Sequence, residues 1–529
     1  MNSLKVLDVT LRDGGCVNNF DFGTEYMERI LQAQEDAGID IIELGYIDDK
    51  DGSEIGRTQY ISEKVIRQNF LKCKVAGTKY VVMMDYGKYN VDNLEFRVKD
   101  GIDGIRLAFH KKDVNVAIEK AKAILAKGYE LFIQPMITLR YSDVELIELI
   151  QTVNNELSNA SGFYIVDSFG EMRPNDMYRI LNLVDHNLTP SMAVGFHSHN
   201  NLQMSYSNAV TLLQFASNRS FLLDSSIMGM GKGAGNLNTE LLLEHLNLFY
   251  GKSYDINPLL DVMDKVLNQI HTEFYWGYSP EYYLSAINHC TPSYASYFYN
   301  KHMLPINRVG ELLALLEENK RISFDAAYAE EVYVKYNQGI EFDDKEYVDK
   351  LIIAFRGKKV LLLGPGKQTE LCKKRVEHLV KSHNFVVVGL NYDMDMDIDY
   401  IITTRTESYF KYMNQNKTLI VPSNITKESR GKISIIDYGK WAERKDRIWD
   451  TSAVLILNVL RKARPREIHI VGMDGFSASI NDNYANPYLR IPLSEKEARL
   501  RNEFYIEFIK GLREEGLKII FETPSKYDL

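Results

Sequence analysis

The sequence predicts an N-terminal (β/α)8 barrel of the TIM type, a helical appendix, and a second, Rossmann-like α/β domain. Three observations support this fold class. At 529 residues the chain is too long for one ordinary domain. Short apolar runs alternate with amphipathic segments over the first 230 residues, which is typical of parallel strands joined by helices. The alternation stops near residue 240 and resumes near residue 358.

Eight candidate strands at fairly regular spacing favour a closed barrel over an open sheet. We expect this barrel domain to span residues 1–270. Its predicted helices include 24–37, 114–127, 143–157 and 202–215. Its predicted strands are 4–11, 39–46, 79–84, 104–109, 130–138, 162–169, 192–199 and 221–229.

The rest of the chain divides into two regions. Residues 271–350 favour helices, and we expect an appendix that mediates dimerisation or completes the active site, so the expected assembly is a homo-oligomer. Residues 355–529 alternate again and predict an open, doubly wound sheet. Its predicted strands are 358–363, 385–390, 400–403, 467–471 and 518–521, and its predicted helices are 367–382, 453–463 and 495–515.

Composition excludes several classes of protein. Hydrophobic residues make up 45% and charged residues 26%, which is typical of soluble globular proteins. A net charge of −9 gives no support for nucleic-acid binding. We find neither a signal peptide nor an apolar run long enough to span a membrane. The four cysteines form no CxxC pair, which favours a reducing compartment. A cytoplasmic enzyme is therefore expected.

Two motifs at predicted strand ends suggest a metal site. They are DVTLRDGG at 8–15 and GFHSHNN at 195–201. Residues two apart in a strand share a face, so His197 and His199 project together, and two adjacent imidazoles suit a divalent metal. The first strand of a closed barrel lies close to the seventh and eighth, so Asp13 can add a carboxylate ligand.

Together with GMGKGAGN at the eighth strand, these motifs resemble the DRE-TIM metallolyase superfamily, whose domain is called HMGL-like. The closest branch is that of the 4-hydroxy-2-oxovalerate aldolases, over roughly the first 240 residues. The resemblance implies that Arg12 stabilises an enolate and that Asp13, His197 and His199 bind the metal. Asn236 matches a metal ligand of related lyases such as hydroxymethylglutaryl-CoA lyase. The resemblance favours Mn²⁺ or Mg²⁺, and two imidazoles also allow Zn²⁺ or Co²⁺.

Cleavage of a 4-hydroxy-2-oxo acid requires a base for the 4-hydroxyl proton. The aldolases carry LRDGMH, with a histidine as the base, whereas this chain has LRDGGC and places Cys16 there. A thiol acts in proton transfer only if its pKa is tuned, so a role in lining the pocket stays equally open for Cys16. His110, in RLAFH, is the alternative base, and a surface role is about as common for such a histidine. Tyr278, in WGYSP, resembles an active-site tyrosine of the family, although packing also explains it.

Four further polar residues stand at predicted strand ends or in the loop after the eighth strand, where a barrel places its active site. Each is a candidate for substrate binding and equally for a structural hydrogen bond. These residues are Glu43, Gln134, Ser168 and Lys232.

The C-terminal domain opens with VLLLGPGKQTE, in which Gly364 and Gly366 follow a predicted strand. A lone GxG is weak evidence for a nucleotide site, because Thr369 replaces the third glycine of the dinucleotide fingerprint. The segment 452–476, which includes Asp474, loosely resembles bacterial sialyltransferase-like domains. That resemblance implies a nucleotide or nucleotide sugar as ligand. A structural turn is the competing interpretation.

The leading hypothesis is a metal-dependent aldolase that acts on a 2-oxo acid, typically pyruvate, and an aldehyde. A sugar-derived aldehyde for a surface-polysaccharide precursor is a further expectation. Two alternatives stay open: a Claisen-type acyl-CoA condensing enzyme or lyase of the same superfamily, and a catalytically inactive metal-binding scaffold. The joint presence of Arg12, Asp13, His197, His199 and Asn236 argues against an inactive scaffold.

Overall fold

The structure is a computed structural model of the chain. The chain divides into two compact units, Met1–Ala295 and Ser296–Leu529. Cys73 lies outside the described residues. The structure describes residues 4–50, 55–69, 71, 74–301, 304–338, 341–382, 384–415, 417–429, 431–445, 447–479, 482–485, 489 and 493–528. Among these residues, no helix has the length and apolar character needed to cross a membrane.

A closed barrel of eight parallel strands forms the centre of the first unit, as the sequence predicts. The first strand pairs with both the second and the last, which closes the ring. A two-residue strand, β3, adds to β2 outside the ring. The strands of this unit are β1 Leu4–Asp8, β2 Ile41–Ile47, β3 Gln59–Tyr60, β4 Lys79–Asp85, β5 Gly104–Phe109, β6 Glu130–Pro135, β7 Gly162–Asp167, β8 Ala193–Ser198 and β9 Phe221–Ser225.

Alternate residues of each barrel strand enter different cores, as the two-residue period of a strand requires. In β6, Leu131 and Ile133 belong to the outer core between strands and helices, whereas Phe132 belongs to the core inside the barrel. Arg106 in β5 and Asp224 in β9 occupy inward positions, because the residue before each belongs to the outer core. Charged side chains therefore lie inside the barrel.

The helices that surround the barrel follow the strands. The predicted helix 202–215 begins three residues later, at Ser205, because Gln203 adopts a left-handed conformation (φ 59°) that a helix does not tolerate. These helices are α1 Gly23–Asp36, α2 Glu63–Asn69, α3 Val114–Ala126, α4 Asp143–Glu156, α5 Pro174–Asn187, α6 Ser205–Gln214 and α7 Thr239–Tyr250.

Several strands end earlier than their apolar runs suggest. Strand β1 stops at Asp8 because the backbone turns, with the N–H groups of Arg12 and Asp13 both donating to the Val9 carbonyl. The predicted strand 221–229 stops at Ser225 and continues as a short 3-10 turn. These turns lie at the carboxyl end of the barrel, where they carry the polar motifs.

A series of helices follows the barrel. In the segment that precedes the third of these helices, the Trp276 indole N–H donates to the Met228 carbonyl at 3.0 Å, so Trp276 packs on the glycine-rich loop after β9. The helices are α8 Asn257–Val262, which continues through a π-turn into α9 Asn268–Glu273, then α10 Pro280–Ile287, α11 Pro292–Tyr299, α12 Ile306–Ala314, α13 Ala326–Gln338 and α14 Lys345–Phe355.

The second unit contains an open sheet of seven parallel strands in the order β14-β13-β12-β11-β10-β17-β18. Strands β15 and β16 form a separate antiparallel pair. The strands are β10 Lys359–Leu363, β11 Val386–Leu390, β12 Tyr400–Ile402, β13 Leu419–Pro422, β14 Ile433–Ile436, β15 Glu443–Arg444, β16 Ile448–Trp449, β17 Glu467–Val471 and β18 Ile519–Phe521. The helices are α15 Lys367–Leu371, α16 Lys373–Lys381, α17 Thr406–Asn414, α18 Tyr438–Trp441, α19 Ser452–Ala463 and α20 Glu495–Glu514.

Both faces of this sheet are covered. Val360 and Leu362 of β10 enter a core with residues of α14, α19 and α20, whereas Leu361 and Leu363 enter a second core that includes Val376 of α16. Strands buried on both faces are typical of doubly wound α/β sheets. The topology therefore agrees with the open parallel sheet that the sequence predicts.

Helix α14 precedes residue 355, where the sequence analysis begins the C-terminal domain. Its buried side chains Val348, Leu351, Ile352 and Phe355 nevertheless belong to the core of the second unit. We therefore predict that a fragment of residues 296–529 unfolds in one cooperative transition, and that a fragment of 355–529 unfolds at a lower temperature or fails to fold. Each fully buried apolar side chain contributes about 1.5–3 kcal/mol. Circular dichroism during heating measures both transitions, and equal midpoints would contradict the assignment of α14 to this core.

Candidate metal centre and active site

Three predicted ligands meet at the carboxyl end of the barrel. One ligand atom each of Asp13, His197 and His199 lies within 4.8 Å of the others, and all three residues are buried. His197 belongs to β8, whereas His199 lies one residue beyond the strand in an isolated bridge with Asn236. One carboxylate and two imidazoles on one side form a facial set that suits a divalent transition metal.

Hydrogen bonds orient both imidazoles toward this set. His197 Nδ1 lies 2.9 Å from an Asp224 carboxylate oxygen, and His199 Nδ1 lies 3.1 Å from the Lys232 carbonyl oxygen. Both partners only accept hydrogen bonds, so each Nδ1 carries the proton and each Nε2 keeps its lone pair. Such partners fix the tautomer of metal-binding histidines.

The protonation states also suit metal binding. Burial lowers the pKa of His199 to about 4, so its imidazole is neutral at pH 7. Burial opposes ionisation of Asp13, but the charges of His199 and Arg12 outweigh it and hold the pKa of Asp13 well below its usual value. With His199 neutral, the permanent charge of Arg12 and the hydrogen bond from Asn236 still lower the pKa of Asp13.

A continuous chain of buried charges runs from one ligand to another. Arg12 donates from Nη1 to Asp13 at 2.6 Å and from Nε to Glu43 Oε2 at 2.7 Å. Arg106 Nη1 donates to the same Glu43 oxygen at 2.7 Å. Arg106 Nη2 donates to Asp224, which holds the second ligand, His197. These contacts link strands β2, β5, β8 and β9 with the turn after β1.

Asn236 closes the site on the side of the glycine-rich loop. Its amide Nδ2 donates to Asp13 Oδ2 at 2.7 Å and to the Met230 carbonyl at 3.1 Å. Its Oδ1 is buried and accepts no hydrogen bond from the described residues. A buried amide oxygen beside a carboxylate and two imidazoles is a further oxygen donor for a metal.

Because Gly231 has no side chain, there is room at this point for Asn236 and Asp13 to meet. A Cβ at this position would lie 2.2 Å from Asn236 Nδ2 and 2.6 Å from Asp13 Oδ2. Any side chain there would push the two ligands apart. The glycine at this point of the GMGKGAGN loop is therefore a requirement of the site.

The remaining predicted site residues divide into two groups. Gln134 lies inside the barrel, and with its amide oxygen toward Arg106 it accepts from that guanidinium at 3.0 Å. Ser168 Oγ instead accepts from the Ile137 N–H at 3.1 Å, on the neighbouring loop. Glu43 and Gln134 thus contact the charge chain, whereas Ser168 supports a backbone turn.

The three candidates for proton transfer or aromatic contact differ in their surroundings. Cys16 is exposed, yet the protein around it and the Asp13 carboxylate raise the pKa of its thiol, which stays protonated at neutral pH. Burial lowers the pKa of the half-buried His110, which is therefore neutral. Tyr278 is 52% exposed. In the described part of the chain, no hydrogen bond joins His110 or Tyr278 to the ligand triad.

The sequence analysis missed Arg106 and Asp224. Both are charged residues inside otherwise apolar strands, in GIRLAF and FLLDS. An inward-facing charge in a barrel strand needs a partner, and that signal is present in the two-residue period of the sequence. It indicates that a partner exists but does not identify it.

Residues 3–266 of the chain match the HMGL-like family. The N-terminal half is an HMGL-like domain. The chain is 27% identical over 267 residues to the 4-hydroxy-2-oxovalerate aldolase of Bacillus thuringiensis, across 50% of this chain and 76% of that enzyme. It is 29% identical over 268 residues to the enzyme of that name from Carboxydothermus hydrogenoformans, across 50% of this chain and 77% of the relative.

A solved structure agrees with this HMGL-like domain. The N-terminal domain of a Bacteroides vulgatus protein described as an aldolase has 28% sequence identity and a TM-score of 0.50, across 56% of this chain and 96% of that one. The family match ends at residue 266. These comparisons place the N-terminal half among carbon–carbon lyases.

We predict that Gly231→Ala weakens metal binding to the HMGL-like domain about tenfold or more, because its methyl group displaces Asn236 and Asp13. Metal content after dialysis against buffered Mn²⁺ measures the effect. Gly511→Ala is the matched control, because a Cβ at Gly511 on α20 meets nothing within 4 Å. Equal metal content in the Gly231 variant and the control would refute the proposed ligand packing.

Proposed function

We propose that the HMGL-like domain is a divalent-metal-dependent aldolase that makes or breaks a carbon–carbon bond beside a 2-oxo acid, with pyruvate as the acid and an aldehyde as partner. One observation carries this proposal. Arg12 Nη2 is buried and makes no hydrogen bond to the described residues, while its other nitrogens bind Asp13 and Glu43. A fixed guanidinium with a free donor beside a metal triad is suited to an oxyanion.

Asp13, His197 and His199 would hold the metal, and the buried Asn236 oxygen is available as a fourth donor. Mn²⁺ or Mg²⁺ is favoured by the resemblance, and the two imidazoles also suit Zn²⁺ or Co²⁺. When bound, a divalent ion acts as a Lewis acid that stabilises negative charge on the oxo-acid oxygens.

The charge of the site supports an anionic substrate. The three carboxylates Asp13, Glu43 and Asp224 and the two guanidiniums of Arg12 and Arg106 leave a net charge of −1 when both histidines are neutral. A divalent ion changes this to +1. A site of net positive charge attracts the carboxylate of a 2-oxo acid.

In the cleavage direction, a base takes the proton of the 4-hydroxyl, the C3–C4 bond breaks, and its electron pair forms the enolate of the 2-oxo acid as the aldehyde leaves. Arg12 donates to the enolate oxygen, and a proton returns to C3 to give the 2-oxo acid. A neutral imidazole accepts a proton, whereas a protonated thiol does not. Of the two candidates we therefore propose His110 as the base, with Cys16 lining the pocket.

The assay that tests this function measures pyruvate release from 4-hydroxy-2-oxovalerate with lactate dehydrogenase and NADH. We expect release by protein that has been stripped of metal and reloaded with Mn²⁺, and none by the stripped protein. The His197→Ala/His199→Ala variant should lose both metal and activity. His186→Ala is the matched control, because His186 is an exposed residue of α5. Pyruvate release that is unaffected by a chelator would overturn the proposal.

We predict that Arg12→Lys keeps its metal but loses turnover about 10²-fold or more, the usual cost of removing one preorganised donor to a developing oxyanion. A lysine ammonium cannot donate to Glu43, Asp13 and substrate in the planar arrangement of a guanidinium. Metal content and kcat measured on one preparation separate the two effects. Normal turnover in this variant would assign charge stabilisation to another residue.

For the C-terminal half we propose a nucleotide sugar or a related phosphorylated sugar as ligand, with a sugar-derived aldehyde as the acceptor in the barrel. The open sheet supports a ligand site near its glycine turn. Gly364 and Gly366 follow β10, but the close approach they permit is used by the chain itself, since a Cβ at either would lie 2.5 Å from the Gly472 carbonyl. The polar contacts of this ligand must therefore come from other residues.

A further inference from the structure

A cavity of about 550 Å³ lies within the second unit. Its wall includes residues that follow four strands of the open sheet: Pro365 after β10, Asn391 after β11, Arg405 after β12 and Asp474 after β17. The strand order reverses direction between β10 and β17. Open α/β sheets bind ligands at the carboxyl ends of strands at such a point, and this volume is typical of small-molecule sites.

Arg405 is a buried cation in this wall, and among the described residues it has only a long ion pair with a carboxylate. Its side chain is shielded, with 9% of the residue exposed. Nη1 donates to the Leu489 carbonyl at 3.1 Å, but Nε is buried and makes no hydrogen bond to the described residues. Its ion pair joins this Nε to Glu407 Oε2 at 3.8 Å, beyond hydrogen-bond distance, and Glu407 is 53% exposed. A buried guanidinium normally has an anionic partner.

The other cations of the wall each have a carboxylate within hydrogen-bond distance, although Arg447 Nη2 is itself buried without a hydrogen bond to the described residues. Lys301 binds Glu330 at 2.7 Å, and Arg447 and Arg501 share Glu497 at 2.9 and 2.8 Å. Among the lining residues that the structure describes, Arg405 is thus the cation that lacks a carboxylate within hydrogen-bond distance. An anionic group in the cavity would therefore pair with Arg405.

Asp474 offers the opposite chemistry in the same cavity. Its Oδ2 accepts from the Gln368 N–H at 2.8 Å, while its Oδ1 is buried and accepts no hydrogen bond from the described residues. A carboxylate oxygen in this position repels phosphate but accepts from a hydroxyl. The wall therefore combines one site for an anion with one acceptor for hydroxyl groups.

We infer that this cavity binds the phosphate ester of a sugar, with the phosphate on Arg405 and a sugar hydroxyl on Asp474. This inference rests on the function proposed for the C-terminal half and assigns residues to it. Both a free sugar phosphate and a nucleoside phosphate carry this chemistry. The inference is independent of the metal centre in the barrel.

Calorimetric titration of the full chain tests the inference, with a chelator present so that phosphate does not bind a metal in the barrel. The probes are ribose 5-phosphate, adenosine 5′-monophosphate, inorganic phosphate, and the neutral compounds ribose and adenosine. We expect one or both phosphates to bind and the two neutral compounds to bind at least about tenfold more weakly, because they lack the charged contact. Whichever of the two phosphate esters binds more tightly shows whether the ligand is a free sugar phosphate or a nucleoside phosphate.

Arg405→Met should weaken phosphate-ester binding about tenfold or more, since a charge-assisted hydrogen bond is lost. Asp474→Asn should weaken binding of the esters but not of inorganic phosphate, because it replaces an acceptor by a donor. Arg499→Met is the matched control, because Arg499 is an exposed arginine of α20 outside the cavity wall.

Two results would overturn the inference in distinguishable ways. Binding of the esters that is unchanged in both variants would place their site elsewhere and leave the proposed function of the C-terminal half intact. No binding of either ester would refute the inference and that proposed function together. If Arg405→Met lowers the thermal stability of the unliganded chain, Asp474→Asn, with esters compared against inorganic phosphate, provides the test.

Discussion

A single buried cation holds the active site together. Arg106 is fully shielded inside the barrel, and its guanidinium binds Glu43 and Asp224 on opposite sides. Glu43 then fixes Arg12, and Asp224 fixes His197. Burying these charges costs free energy that only mutual pairing offsets, and removing one partner from such a pair costs about 3–5 kcal/mol. The positions of Arg12, the proposed donor to substrate, and of His197, a proposed metal ligand, therefore depend on the same interaction.

The barrel provides this arrangement because its closed ring of strands brings inward-facing side chains together. Residues from β2, β5, β8 and β9 contribute inward-facing side chains that contact one another, and the turn after β1 adds Arg12 and Asp13. A rigid scaffold keeps such side chains within the narrow tolerances of a metal site. The second unit uses its sheet differently, since Arg405 and Asp474 stand in segments after separate strands and face one cavity. Both halves place their polar groups at the carboxyl ends of parallel strands.

The sequence predicts the barrel, its strand order and the histidine pair, because apolar periodicity and the HxH spacing are local properties of the chain. It predicts Asp13 as their partner because a closed barrel brings its first strand near the seventh and because the motifs resemble a known superfamily. It does not reveal that Arg106 and Asp224 are partners, because they are 118 residues apart and meet only when the barrel closes. The apolar runs also predict strands that are longer than the observed ones. Strand β8, for example, stops before His199. Arg405 has no motif around it, and the role that we propose for it depends on its burial and on the length of its ion pair with Glu407. Such properties belong to the folded chain.

The central claim is that Asp13, His197 and His199 hold a divalent metal at which a 2-oxo acid binds. Pulsed electron paramagnetic resonance of the Mn²⁺-loaded chain tests it most directly. The account predicts modulation from two imidazole nitrogens, one of which disappears in His197→Ala, and an added ¹³C coupling when labelled pyruvate is present. A Mn²⁺ spectrum without nitrogen modulation, or one unchanged by labelled pyruvate, would contradict the account.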